Sequence, residues 1–279
     1  MNNSEILNDS CFEKYIEYVH KLTGITIQKN RKQMLIGRIG RRMHELKIDK
    51  YESYLDYIKE NKEEEQLFIN RVTTNETYFY RTPRIWDFIT QDFLDQWYAL
   101  HKNRSLTIWS AASSTGEEAH TMGVICEDFR SKNLGFNYRI LGTDISTRVL
   151  DIATKGVYNG RAIERFRNTK KELFERYMKG DDELGYQVLP QIKSKIEFKP
   201  HNLFEVNKNE TYDLIFLRNV LIYFTEEDQE KVIHNMHKAL NPDGYLIIGE
   251  SESLHRINTP FESVSPLIYQ DKASKKAAA

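Results

Sequence analysis

The chain has 279 residues, 40% hydrophobic and 29% charged, with a formal net charge of −1. That length holds one large domain or two modest ones with real cores, and the near-neutral balance argues against a general nucleic-acid or membrane-surface binder. No apolar run approaches the ~18 residues of a membrane span. The start, "MNNSEILNDSCFEKY", lacks the basic-then-apolar order of a signal peptide. Cys11 and Cys126 stand far apart with no metal spacing, so the expectation is a cytoplasmic protein with two free buried thiols.

From about residue 10 to 72 the pattern is helical. "CFEKYIEYVHKLTG" has helical apolar spacing and stops at Gly24. "NRKQMLIGRIGRRMHELK" places Leu35, Ile39, Met43 and Leu46 on one side. "YESYLDYIKENKEEEQLFINRV" adds further helix, with a solvated charge run at 62–65. The predicted division is an all-helical unit over 1–72, a linker over 73–83, an α/β domain over 84–272 and a disordered tail over 273–279.

Beyond residue 84, "LTIWSAA", "YRILGTDIS", "KIEFKPHNL", "YDLIFLRNV" and "GYLIIGESE" alternate with helical segments. This is the pattern of a doubly wound α/β domain whose parallel sheet is covered on both faces. Between the second and third runs, "YQVLP" offers a strand of a small β-subdomain at about 181–200.

In such sheets the ligand lies beyond the carboxyl ends of the strands. "IWSAASSTGEEAH", residues 108–120, reads as strand, turn and helix. A dinucleotide turn carries three glycines, so that the backbone can approach a pyrophosphate. Here Gly116 is alone and is followed at once by Glu117 and Glu118. Carboxylates at a helix start suit its dipole but repel a pyrophosphate, so a cationic ligand fits better. Asp144, 28 residues beyond Gly116, either accepts both hydroxyls of a ribose or caps the next helix. Asn202 and Asn219 follow the third and fourth strands and serve either as turn residues or as hydrogen-bonding partners for a purine or an amino-acid group. S-adenosylmethionine meets these requirements, with an adenosine, no phosphate, and a sulphonium beside an ammonium. It is the expected cofactor, and S-adenosylhomocysteine the expected product.

The motifs "TNETYFYR", "WSAASSTGEE", "GTDIS", "HNLF", "FLRNVLIYF" and "LNPDGYLIIGESESL" closely resemble those of the chemoreceptor glutamate methyltransferases, the CheR family. The resemblance spans nearly the whole chain. It implies a Rossmann-like class I methyltransferase domain with a small β-subdomain, preceded by an all-α N-terminal domain that recognises substrate. It further implies methyl transfer to glutamates on the cytoplasmic helices of chemotaxis receptors. By motif position the cofactor contacts are Asn75, Thr77, Arg81, Glu117, Asp144, Asn202, Leu203, Arg218 and Asn219. Ala119 and His120 stand where the family has Pro and Tyr, inside the helix that follows the turn. The stretch 177–198 is short for the family's receptor-docking subdomain, so anchoring on a receptor tail peptide is not expected.

A glutamate carboxylate, with an ordinary pKa of about 4.3, is ionised near neutrality and needs no general base. Alignment and exclusion of water are the catalytic task. Arg81 either guides the incoming carboxylate and fixes the linker, or forms a structural salt bridge. Tyr223 either lies beside the sulphonium or packs as an ordinary core tyrosine. The stretch "KNRKQMLIGRIGRRMHELK" carries seven Lys or Arg and one acid. On it Arg31, Arg38 and Arg41 share a stripe away from the apolar side, and with Arg42 they are candidates to dock an acidic receptor helix, against the plainer reading of a solvated face. His234 and His237 have no evident third partner, so no metal is expected. The rival readings are a nucleic-acid methyltransferase and a non-catalytic cofactor-binding signalling module. "RNVLIY" after the fourth strand departs from the Pro-Pro-aromatic order of base-methylating enzymes.

Overall fold

A computed structural model describes residues 7–207 and 210–273. The first unit consists of α1 (Asp9–Thr23), α2 (Lys32–Leu46), α3 (Tyr51–Glu60) and α4 (Lys62–Val72). Asn8 caps α1 by accepting the Cys11 N–H at 2.8 Å, and Asn61 caps α4 by accepting from Glu63 and Glu64. Gly24 ends α1 at φ +71, where an added Cβ would lie 2.0 Å from the Phe204 ring, so the stop is also a packing surface. Tyr15, Val19, Leu35, Ile39, Tyr54 and Phe68 close a core of their own. The run at 62–65 is not wholly solvated. Glu64 is buried, because Arg42 and the Tyr54 hydroxyl meet its carboxylate across the bundle.

Residues 73–82 form no helix or strand. There follow α5 (Pro83–Phe88), a π turn (Ile89–Phe93) and α6 (Leu94–Leu100). The α/β order is then β1 (Leu106–Ala111), α7 (Glu117–Lys132), β2 (Tyr138–Asp144), α8 (Thr147–Lys155), β3 (Val157–Tyr158), α9 (Arg161–Thr169), α10 (Lys171–Tyr177), β4 (Met178–Asp181) and β5 (Gly185–Val188). It ends with α11 (Pro190–Lys193), β6 (Ile196–Pro200), β7 (Tyr212–Leu217), α12 (Glu226–Ala239), β8 (Leu240–Ile248), β9 (Phe261–Ser265) and β10 (Ile268–Asp271).

The main sheet runs β6-β2-β1-β7-β8-β10-β9, with the first five strands parallel and β10 antiparallel to both neighbours. β1 and β7 are buried at every position, as strands covered on both faces must be. Ile108, Leu214 and Phe216 face one core with Trp86 and Met122, while Trp109, Ile215 and Leu217 face the other with Val232 and Met236. From β1 the chain winds outward to β6 and then returns to β7 on the other flank of β1. The loops after β1 and β7 therefore part and open a crevice.

One expected boundary needs correction. The small sheet is β3-β5-β4, over 157–188, rather than 181–200. Residues 196–200 pair with β2 in the main sheet, where Phe198 packs on the core. The closing β9–β10 hairpin was not foreseen. No helix among the described residues is long and apolar enough to cross a membrane. The tail expected at 273–279 lies, beyond Ala273, outside the described residues.

Candidate active site

The crevice holds a cavity lined from every direction that the topology predicts. The turn after β1 contributes Ala112, Ser113 and Ser114; the end of β2 contributes Asp144 and Ile145; the loop after β6 contributes His201, Asn202 and Leu203. Arg218, Asn219 and Tyr223 follow β7, and the linker closes the front with Asn75, Thr77, Tyr78 and Arg81. The helical unit adds Thr23 and Ile25.

The turn after β1 holds Ala112 at φ +63, Ser114 at φ +52 and Gly116 at φ +90. Only the last is a glycine, and the reason is packing: a Cβ there would lie 2.7 Å from Ala153 Cβ on α8. The strained backbone aims the Ser114 N–H at Asp144 Oδ2, 2.9 Å away, while the Ser146 N–H donates to Oδ1 at 2.9 Å. Burial pushes the Asp144 carboxyl up, against these backbone donors. Each oxygen keeps accepting capacity toward the cavity.

Of the two carboxylates that follow Gly116, Glu118 lines the cavity and Glu117 does not. Glu117 is buried and accepts from the Thr115 hydroxyl at 2.6 Å; burial pushes its carboxyl up. Glu118 accepts from Ser110 at 2.8 Å and pairs with Arg218 at 2.8 Å. Arg218 also donates to the Arg81 carbonyl at 3.1 Å and to Thr82 Oγ1 at 2.8 Å. Asn219, at φ +59, gives its N–H to Glu252 at 2.9 Å, and the same buried carboxylate accepts from Val220, Leu221 and Gly249.

Asn202 is committed within the fold: its amide donates to the Leu22 carbonyl at 3.1 Å and its oxygen accepts from the Phe204 N–H. Arg81 stands between two left-handed residues, Tyr80 at φ +55 and Thr82 at φ +63. Its backbone is held by bonds from Trp86 and Arg218 to its carbonyl. Its guanidinium donates to the Glu76 carbonyl at 3.2 Å and lies 5.6 Å from the Tyr78 ring centroid. No carboxylate pairs with it among the described residues, so the salt-bridge reading of Arg81 falls.

The basic helix is rearranged. Arg38 donates to the Val72 carbonyl and, at 2.9 Å, to Thr74 Oγ1, pinning the linker. Arg42 is taken by Glu64 at 2.6 Å and Glu45 at 3.3 Å, while Arg31 and Arg41 stay exposed. At 100° per residue Arg38 and Arg42 lie only some 60° and about 20° from Leu35, so the bundle captures them. His120 points away from the cavity. It is wholly buried against Tyr158, whose hydroxyl donates to the Thr115 carbonyl and so must accept from His120 Nδ1–H. Burial first, with Lys193 adding, pulls the imidazole down to about 3, and it stays neutral. His234 bonds the Glu230 carbonyl and His237 pairs with Asp271.

A test of the cofactor lies in what the cavity leaves unsatisfied. Ser113 Oγ, His201 Nε2 and Arg218 Nε are buried without partners and all belong to lining residues. Most buried polar atoms in proteins are paired, so three such atoms on one cavity wall suit a polar ligand, although Tyr80, Trp97 and His120 also hold unpaired atoms elsewhere. With Asp144 and Glu118 as acids and an aromatic Tyr223, the donor set fits a nucleoside carrying cationic groups. Together the fold and this site define an S-adenosylmethionine-dependent methyltransferase.

The comparisons narrow the class. Residues 75–269 match the CheR methyltransferase SAM-binding domain and residues 11–73 the CheR methyltransferase all-alpha domain. The chain belongs to the CheR methyltransferase family. It is 30% identical to chemotaxis protein methyltransferase 2 of Pseudomonas aeruginosa, covering 92% of this chain and 91% of that one. It is 29% identical to the chemotaxis protein methyltransferases of Borreliella burgdorferi and Salmonella typhimurium, each over 96% of this chain and over 96% and 93% of theirs.

Proposed function

We propose that this methyltransferase esterifies glutamate side chains on the cytoplasmic helices of chemoreceptors, as part of chemotactic adaptation. The observation that carries the reading is Arg81: a guanidinium on the cavity wall, bonded to one carbonyl, set beside one ring and matched by no acid among the described residues. A free cation at that place suits a substrate that arrives as a carboxylate. The cofactor, when bound, supplies a methyl group on a sulphonium, and an ionised carboxylate attacks without a base. The protein's part is orientation and exclusion of water.

In this reading Asp144 takes the ribose, and Glu118 stands in place of Glu117 near the cofactor's charged groups. Asn75, Thr77, Leu203, Arg218 and Asn219 line the remaining contacts. Asn202 holds its loop in place, and its side chain is not counted as a ligand. Arg81 positions the attacking carboxylate and Tyr223 flanks the transferred methyl. Arg31, just before α2, and Arg41, exposed although paired with Glu45 at 3.4 Å, are the two of this group placed to meet substrate; Arg38 and Arg42 act as positioning residues. The β4–β5 turn spans just residues 182–184, which supports docking without a receptor tail peptide. No observation favours a nucleic-acid substrate.

The test is calorimetry with S-adenosylmethionine on wild type and Asp144→Ala, followed by labelled methyl transfer to a receptor cytoplasmic fragment. Binding lost in the variant, with base-labile label on the fragment, is the expected result. Wild-type binding without transfer rejects the substrate.

A further inference from the structure

Tyr78 sits where the linker leaves the cavity, and two guanidiniums share its ring. Arg81 lies 5.6 Å from the centroid and lines the cavity; Arg165 of α9 lies 5.9 Å away and is exposed. α9 is clamped along the linker here, since Arg161 pairs with Glu76 at 3.0 Å and the Phe79 N–H donates to the Ala162 carbonyl at 2.9 Å. The segment 161–171 carries five basic residues and one acid, Glu164. Arg167 is paired with Asp182 and Lys171 with Glu175. Arg165, like Arg81, has the ring and no carboxylate partner among the described residues.

Two cations on one ring repel each other, and the ring offsets only part of that cost. An anion reaching both relieves it. A helical substrate presents carboxylates three or four residues apart on one face, about 5–6 Å between side-chain roots. We infer that Arg165, set by Tyr78, is a substrate-binding residue that holds a second carboxylate of the target helix, one turn from the glutamate that Arg81 receives. α9 then selects glutamates with an acidic neighbour on the same face. This rests on the glutamate-helix substrate proposed above.

The experiment measures methylation of a receptor cytoplasmic fragment by wild type, Arg165→Ala, Arg165→Glu and the same-helix control Arg167→Ala. A second fragment has alanine in place of the acid one turn from the methylated glutamate. For Arg165→Ala, KM for the intact fragment rises about three- to tenfold, the size of one surface charge contact, with cofactor affinity unchanged. Arg165→Glu is worse, and Arg167→Ala matches wild type. On the second fragment wild type loses the same factor and Arg165→Ala loses nothing more. Equal KM for wild type and Arg165→Ala, or a matching loss in Arg167→Ala, overturns the inference while the glutamate reading stands. Wild type that leaves the intact fragment unmethylated overturns both.

Discussion

Two basic helices flank the linker, and they use similar charge in opposite ways. α2 turns its cations inward: Arg42 meets the buried Glu64, and Arg38 reaches the Val72 carbonyl and Thr74. α9 turns Arg161 and Arg165 to the linker at the cavity mouth, where Glu76 answers the first and only the Tyr78 ring the second. The difference lies in what each helix packs against. A cation beside an apolar stripe and facing a buried acid becomes part of the core, as Arg42 does; a cation at the irregular linker takes what that segment offers, a carbonyl and a hydroxyl for Arg38, a carboxylate for Arg161 and a ring for Arg165.

The comparison breaks most visibly at Arg42. Arg42→Ala strands the Glu64 carboxylate in the bundle and is expected to lower unfolding free energy by about 3 kcal/mol, read by urea denaturation. Loss of stability no greater than that of Arg41→Ala would show that α2 spends nothing on its fold. Arg38→Ala should leave the bundle nearly as stable while releasing the front of the cavity. Cofactor affinity should then fall about tenfold by calorimetry, as loss of one charge-assisted contact implies. An unchanged value would detach the linker from α2.

Acidification separates the helices from the cavity's own charge. Burial, against the backbone donors Ser146 and Ser114, sets the Asp144 carboxyl above the ordinary aspartate range. As pH falls through that raised value the side chain gains a proton and loses acceptor strength, so cofactor affinity falls with it. Its contribution to stability runs the other way. A group that binds its proton more readily folded than unfolded gives stability at low pH, lost as pH rises through the folded value. Calorimetry and thermal melts across pH, against Asp144→Asn, should show both trends flattened in the variant. The smallest effect belongs to Arg31→Glu with Arg41→Glu. It should slow encounter with an acidic fragment about twofold at low salt and not at high salt, leaving kcat alone.

Much of the α/β frame was legible because strands covered on both faces, β1 and β7 above all, are near-continuous apolar runs; the five runs read as strands are the parallel strands of the main sheet, although the edge strand β6 has no buried position. β3 has two residues and β10 four, too few to carry a period, and β9 buries only Phe261. At the site, acids and amides after strands could be placed because the topology brings those ends together. The choice between Glu117 and Glu118 could not: they are neighbours on a helix start, and one residue of rotation, about 100°, decides which faces the ligand. The fate of Arg42 depended on Glu64, and the meeting of Arg165 with Tyr78 on a contact between residues 87 apart in the chain. Neither leaves a local trace.

The helical unit is built into the cavity rather than hung beside it. Asn202 reaches the Leu22 carbonyl, the Thr26 N–H donates to the Tyr223 carbonyl at 2.9 Å, and Thr23 and Ile25 belong to the lining. The unit is therefore a poor cassette. A chimera that borrows residues 1–72 from a relative, to change which receptor is recognised, would also reset the seat of Tyr223 and the loop of Asn202. On the proposed reading, in which this unit recognises substrate, substrate preference and cofactor affinity would drift together under sequence change.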